Sequence, residues 1–325
     1  MRQRNLILIL FATLFFYKGE IARGQDPQFT QFYSNQLYLN PAFAGVTSCP
    51  RVTTNYRAQW TGITGLFSTS SASIDSYVDY LSGGLGLMVT HDQAGRGTIN
   101  STTASGIYAY KAKVNRTFSI QVGLQGTYFQ RTLNWSKLTF MDQIDSQRGF
   151  IYNTNQPRVD GDGNVKRFDL SAGILGFGKK YYFGAAFHHL TEPDESLILG
   201  YSELPMKITG HFGAMIPLKS RSKNSKKLQI SPNVLYQQQG KFQQLNLGMY
   251  IMSGPLVYGF WYRNKDSFIA LIGIQTDIVK FGYSFDLTVS RLTPATAGSH
   301  EISMAIQLDC VPKRRSYRAI SCPSF

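Results

Sequence analysis

The chain has 325 residues, 43% of them apolar and 16% charged, with a formal net charge of +14 and three cysteines. No apolar run beyond the N-terminus reaches the roughly 20 residues that a spanning helix needs, which excludes a helical membrane protein. The positive charge alone does not make a nucleic-acid binder, because no reader motif accompanies it.

The first element is an export signal. Arg2 and Arg4 precede the apolar stretch from Leu6 to Tyr17, and Ala22-Arg23-Gly24 sets small residues at the −3 and −1 positions. This is the pattern of a secretory signal peptide over residues 1–24, cut between Gly24 and Gln25. No cysteine stands at a lipobox position, so no lipid anchor is expected. Cleavage takes Arg2, Arg4, Lys18, Arg23 and Glu20 with it, lowering the formal charge by three from +14 to +11. Export permits disulfides. Cys49, Cys310 and Cys322 show no metal-ligand spacing, and their odd number leaves one thiol free or intermolecular.

Residues 25–50 alternate poorly and contain Asn40-Pro41 and Ala44-Gly45, which reads as a periplasmic or lumenal lead-in segment. From residue 51 the pattern changes to a period of two. Phe118, Ile120, Val122 and Leu124 share one parity, with Ser119, Gln121, Gly123 and Gln125 between them. Val279, Phe281, Tyr283, Phe285 and Leu287 repeat it against Lys280, Gly282, Ser284, Asp286 and Thr288. Such alternation means strands with one apolar and one polar face, and segments of about ten residues match tilted membrane-spanning strands. About fourteen strands are predicted, near 51–60, 67–76, 83–91, 101–111, 117–132, 166–176, 180–189, 206–217, 228–238, 243–252, 256–264, 267–276, 279–289 and 300–309. The expected fold is all-β, a closed antiparallel transmembrane barrel over residues 51–309 with both termini periplasmic, followed by a basic tail at 310–325. Closure removes the strand edges that lipid cannot satisfy. The connections agree, since the long ones (133–165, 190–205, 290–299) fall on the side opposite the termini.

This topology sorts the charges. Lys111, Lys113, Arg116, Lys179, Lys180, Lys219, Arg221, Lys223, Lys226, Lys227, Lys313, Arg314, Arg315 and Arg318 fall on or beside the periplasmic side. Two readings are open: contact with phospholipid headgroups, or a docking face for an acidic periplasmic partner.

No catalytic constellation is present, neither G-x-S-x-G nor H-E-x-x-H nor paired carboxylates, so no enzyme, cofactor or metal is expected. His188-His189 sits in a predicted strand, which would aim the two rings at opposite faces. The run Asp160-Gly161-Asp162-Gly163-Asn164 offers the first ligands of a calcium loop but has Val165 and Ser171 where glycine and an acid are required, so it reads as a solvated turn. Polar lumen positions include Gln121, Gln125, His211, Asn246, Ser284 and Asp286, which suit a wet channel or a satisfied polar plug. The strand glycines Gly84, Gly86, Gly123, Gly126, Gly173, Gly176, Gly210 and Gly213 point to bends or close backbone approach.

Two blocks carry a family resemblance. Gln25-Asp26-Pro27-Gln28-Phe29-Thr30-Gln31-Phe32-Tyr33, then Leu37 to Gly45 and Asn55-Tyr56-Arg57 with Gln59-Trp60, resemble the mature N-terminus of the PorP/SprF family. Phe281 to Asp286, Ser290 to Glu301, Cys310, the basic tail and Cys322-Pro323 resemble its C-terminal end. The resemblance implies an outer-membrane component of the type IX secretion system of Bacteroidetes-type bacteria. It would act as an accessory or anchoring barrel for secretion or surface attachment of cargo with a C-terminal signal, a gliding adhesin among them. The implied partners are periplasmic ring components, that cargo and outer-membrane lipid, not nucleic acid. With this resemblance the basic face reads as a docking face rather than a lipid contact. The alternative function is an outer-membrane diffusion channel or hydrophobic-solute transporter. For the cysteines, a Cys310–Cys322 bond is expected. It closes a loop of about a dozen residues, worth roughly 3 kcal/mol in the chain-entropy model, and it matches the family-like tail. Its competitor is Cys49–Cys310, across the first and last strands.

Overall fold

The computed structural model describes residues 25–47, 49–63, 65, 67–145, 147–155, 163–197, 202–218, 228–289 and 297–308. Among them, the strands of the wall are β1 (Arg51–Gln59), β2 (Phe67–Val78), β3 (Gly83–Ala94), β4 (Ile99–Lys113), β5 (Phe118–Leu133), β6 (Asn164–Gly178) and β7 (Tyr181–His188). They continue as β8 (Lys207–Ala214, prolonged past Met215 by Ile216–Leu218), β9 (Leu228–Gln239), β10 (Phe242–Ser253), β11 (Leu256–Arg263), β12 (Ser267–Gln275), β13 (Val279–Thr288) and β14 (Ser299–Gln307). Each pairs antiparallel with its sequence neighbour. The ring closes where β1 meets β14, with Arg51 opposite Gln307 and Gln59 opposite Ser299. A small hairpin, Ile144–Asp145 with Gly149–Phe150, decorates the β5–β6 connection. The fourteen-stranded closed barrel and the strand positions expected from the sequence are therefore present.

The alternation has the polarity of a membrane barrel. On β5, Leu124 is 61% exposed while Gln121 on the opposite parity is fully buried. The outward parity across the wall carries Leu85, Leu87, Val122, Phe168, Leu170, Phe260, Ile272 and Phe281, all exposed. A soluble sandwich would put these side chains inside. Here lipid takes them, and the hydrogen-bonded ring leaves no open edge within it. Tyr128 and Phe168 meet edge-on with ring centroids 5.4 Å apart. Beyond them the outward parity of β5 and β6 turns polar, at Gln130, Thr132, Lys166 and Asn164, so this pair marks an edge of the apolar belt.

The core lies inside the barrel. Residues 25–47 fold back into the lumen as an extended arm, a single helical turn (Gln36–Leu39, α1) and a 3-10 turn (Pro41–Phe43). Asn40 sets the second turn by accepting the Ala42 N–H on Oδ1 at 2.9 Å. Phe32, Tyr33, Leu37, Leu39, Phe43 and Val46 pack against wall residues that include Leu175, Phe177, Tyr182, Leu235, Tyr250 and Trp261. Each large apolar side chain so buried contributes about 1.5–3 kcal/mol. The segment shows no period of two because wall surrounds it on every side.

Two strand glycines make room for this plug. A Cβ on Gly123 would lie 2.5 Å from Pro41 C and Ala42 N, and one on Gly84 would lie 2.0 Å from the Ala44 carbonyl oxygen. Both contacts are with backbone, which has no side chain to swing aside.

One local expectation fails. β7 ends at His188, and His189 adopts φ 59°. That left-handed residue breaks the alternation, so the two rings do not point to opposite faces. Both line the same cavity, with centroids 6.5 Å apart.

Candidate functional site

The lumen has two ends. At the terminal end β1 begins and β14 finishes, and at the loop end lie the long connections. The plug runs between them and is held at three places.

Near the loop end, Asp26 sits between two cations. His189 Nε2 lies 2.9 Å from its carboxylate and Lys207 Nζ 3.2 Å, while Asp26 N–H donates to Gln239 Oε1 at 3.0 Å. The other nitrogen of His189, Nδ1, is 2.8 Å from Asp169 Oδ2. Burial opposes a charged ring here. Asp26 and Asp169 outweigh it and raise the His189 pKa to about 10, so both ring nitrogens donate. Burial likewise opposes the Asp26 carboxylate, and His189 and Lys207 hold it far below the usual carboxylate range.

At the seam, two residues from the loop end of β14, Glu301 accepts from Thr30 N–H (2.5 Å), Thr30 Oγ1 (2.7 Å) and Gln31 N–H (3.3 Å), and its backbone carbonyl accepts from Gln31 Nε2 (3.0 Å). Arg57 donates to the Gln28 carbonyl and lies 3.5 Å from Asp286. Asp286 also pairs with Arg263 at 3.0 Å. At the terminal end, Asp75 accepts from Gly45 N–H at 2.9 Å and pairs with Arg51 at 3.0 Å. Arg51 in turn donates to Gln36. These buried charges are paired or hydrogen-bonded, as burial demands.

Above the apolar part of the plug, the loop half of the lumen keeps a partly open cavity of about 120 Å³. Its floor includes Asp26, Pro27 and Tyr38. Its walls carry the hydroxyls of Thr90, Ser101, Thr103, Ser105, Thr127 and Ser171, together with Gln125, Phe129 and Arg131.

The lumen-facing residues expected from parity are where the sequence puts them: Gln121, Gln125, His211, Asn246, Ser284 and Asp286 are all buried inside. Sequence reasoning missed the clamping roles of Asp26, Arg57, Asp75, His189 and Glu301. The signal was available for the four strand-borne or plug-borne charges, because a charged residue on a lumen parity or in a segment without period must find a partner inside.

At the terminal end, Lys113, Arg116, Lys179 and Lys180 are exposed, on turns that share an end with residues 51 and 307. Lys111 departs from the expected open basic face. It is half-buried, with Nζ 5.0 Å from the Phe177 ring centroid and 5.7 Å from that of Tyr77. The other expected docking residues, Lys219, Arg221, Lys223, Lys226, Lys227, Lys313, Arg314, Arg315 and Arg318, lie outside the described residues, as do Gly24 of the cleavage site and Asp160 to Asp162 of the acidic run. Among the described residues no group of three or more His, Cys, Asp or Glu is arranged to hold a metal.

The cysteine pairing needs correction. Cys49 is disulfide-bonded. With three cysteines in the chain this is incompatible with a Cys310–Cys322 bond and with a free Cys49 thiol. Cys310 and Cys322 themselves lie outside the described residues. The seam has a defined register, and Leu308 N–H donates to the Pro50 carbonyl at 2.8 Å, next to Cys49.

Comparison with known proteins adds the family. The Type IX secretion system membrane protein PorP/SprF family matches residues 21–306. No curated protein matches the chain. Among solved structures, the chain is similar to the Acinetobacter baumannii outer membrane protein Omp33, at 9% identity and a TM-score of 0.42, covering 81% of this chain and 100% of that one. It is also similar to a Pseudomonas aeruginosa FadL homologue, at 11% identity and a TM-score of 0.42, covering 88% and 100%. A closed barrel with an apolar outer belt and a family match over most of its length place this chain in the outer membrane, as a member of the PorP/SprF family of type IX secretion system membrane proteins.

Proposed function

We propose that the chain is an accessory or anchoring barrel of the secretion system, not a diffusion pore and not an enzyme. It would serve secretion or surface attachment of cargo with a C-terminal signal, and would dock periplasmic ring components through its basic terminal end. The observation that carries this reading is the plug. The terminal half of the lumen is occupied by the chain's own residues 32–46, whose Phe32, Tyr33, Leu37, Leu39, Phe43 and Val46 pack on the wall. A diffusion channel would need an open lumen there, and a hydrophobic-solute transporter an apolar passage. The exposed Lys113, Arg116, Lys179 and Lys180 supply the described part of a positive rim, which steers an acidic partner.

Three measurements test the reading. Purified protein in planar bilayers should be electrically silent, and a steady selective conductance would favour the channel. Replacing Lys223, Lys226, Lys227, Arg314 and Arg315 by Gln should leave the barrel folded, since exposed charges contribute little to stability. It should lower recovery of periplasmic secretion components in pull-downs at low salt. Equal recovery would assign these charges to lipid contact. Tags near Asn153 should be reachable on intact cells and tags near Ser222 only after the outer membrane is opened.

A further inference from the structure

The plug crosses the lumen in a fixed direction. Its last residues are at the terminal end, where Gly45 N–H donates to Asp75 and Asp75 pairs with Arg51, the first residue of β1. Its first residues are at the loop end. Asp26 is held by His189 just after β7, Lys207 at the start of β8 and Gln239 at the end of β9. His189 also binds Asp169, the neighbour of Phe168, and the Phe168 ring lies at the loop-end edge of the apolar belt. Gln25 stands one residue beyond this clamp, exposed, on the lining of the loop-end cavity. Between the two ends the arm stays inside the wall, bound by Arg57 at Gln28 and by Glu301 at Thr30. A chain cut before Gln25 therefore begins at the loop-end mouth of its own barrel.

Residues 1–24 cannot share that place while they do their work. The cavity of about 120 Å³ has room for about ten waters at roughly 10–15 Å³ each, not for residues 1–24. Arg2, Arg4 and the apolar stretch from Leu6 to Tyr17 form a signal that engages the inner membrane and is removed from the mature chain. As long as that signal is attached, it holds residue 25 on the periplasmic side of the barrel, away from His189 and Lys207. Arg57 and Glu301, which hold the arm, face each other across the seam only once the ring has closed. The arm therefore enters a finished cylinder, and its route in is from the terminal end.

We propose that the plug is a strap released by signal cleavage. Removal of residues 1–24 frees the arm to enter the closed lumen tip first, and the seated tip displays the mature amino terminus on the outside of the cell. This places that terminus opposite to the periplasmic side expected from the sequence. Display on the outside rests on the orientation in which the long connections face outward, and the test separates a failure of either.

Gln25→Lys puts a primary amine on an exposed side chain at the tip, and heat-modifiable gel mobility should be unchanged. Sealed cells are treated with a membrane-impermeant amine reagent, and labelled peptides are read by mass spectrometry. Lys137 and Lys265, exposed at the loop end, and Lys179 and Lys180, exposed at the terminal end, calibrate the two sides. Position 25 should label with Lys137 and Lys265 on sealed cells, and Lys179 and Lys180 only after the outer membrane is opened. If position 25 instead labels with Lys179 and Lys180, the threaded tip is refuted and the orientation stands. If Lys179 and Lys180 label on sealed cells while Lys137 and Lys265 do not, the orientation is reversed and the outward display falls with it. The cleavage step is tested by inserting a small folded domain and a protease site between Gly24 and Gln25. In the purified protein, amides of residues 26–31 should then exchange about tenfold or more faster than in the parent, as expected for losing at least one clamp hydrogen bond. Proteolytic release of the domain should restore the slow rate. Slow exchange with the domain attached, or fast exchange that release does not slow, would overturn the cleavage step.

Discussion

Replacing Gly123 by Val should open the barrel without unfolding it. The new Cβ would lie 2.5 Å from backbone atoms of Pro41 and Ala42, so the plug must retreat by about 1 Å to reach ordinary contact. It has little room, because Phe43 is already stacked on His211 with centroids 5.3 Å apart. Overpacking of this kind costs about 1–3 kcal/mol, which lowers the seated-to-unseated ratio of the plug by roughly 5- to 150-fold. The wall bears little of that strain. Gly123 pairs with Ala109 and Gly173 through backbone groups, and Val favours strands. Gly126→Val is the matched control, on the same strand but with nothing within 4 Å of its Cβ. Planar-bilayer recordings should show frequent openings for Gly123→Val and none above parent level for Gly126→Val, with both bands heat-modifiable. If the two variants are equally silent, the plug is not held by close approach at Gly123. If Gly123→Val loses the folded band, the wall yields instead of the plug.

The Glu301 clamp predicts local loosening. Glu301→Gln should weaken its bonds to Thr30 and Gln31 by about 1–3 kcal/mol and speed amide exchange there at least severalfold while β5 stays protected; unchanged exchange would remove Glu301 from the clamp. The Asp26–His189 clamp predicts a pH dependence with a definite sign. The His189 pKa is raised from 6.5 to about 10, so its contribution is complete below pH 6.5 and is lost as pH rises through 10. The Asp26 pKa is lowered from 3.8, so its share is present above pH 3.8 and lost well below it. Exchange at residues 26–31 should therefore be slowest, after correction for intrinsic rates, between those limits and quicken toward pH 10, and His189→Gln should abolish the alkaline part. For the disulfide, the register that sets Leu308 beside Pro50 predicts Cys310 as the partner of Cys49, and peptide mapping of non-reduced protein should return that linked pair with Cys322 open to a thiol reagent. A Cys49–Cys322 fragment would contradict it.

The wall was legible because each of its residues meets one of two environments, and strict alternation writes that choice into the sequence. Phe118 to Thr127 gave both the strand and its faces. The plug was not legible in the same way. Residues 32–46 meet wall on all sides, so their apolar content has no period, and only the family-like block marked them as something specific. Gly84 and Gly123 did signal a close approach, without saying to what. His189 was misread because a left-handed residue at the end of a strand cancels the parity rule, and nothing in His188-His189-Leu190 announces it. The cysteine pairing was not legible because in an open chain a local loop is easier to close than a seam between residues more than 250 positions apart. A barrel brings those ends together by its own closure.

The same closure governs when the plug can dock. Thr30 meets Glu301 across 271 residues of chain, and joining such distant points in an open chain costs about 5 kcal/mol in loop entropy before any contact forms. Once β14 has paired with β1, that cost has already been met by the strand ladder, and Glu301 stands a short reach from the arm. The arm is thus translated first and seated last. Its seating reports that the cylinder is complete, so an unfinished barrel keeps residues 25–31 accessible to the proteases and chaperones around it.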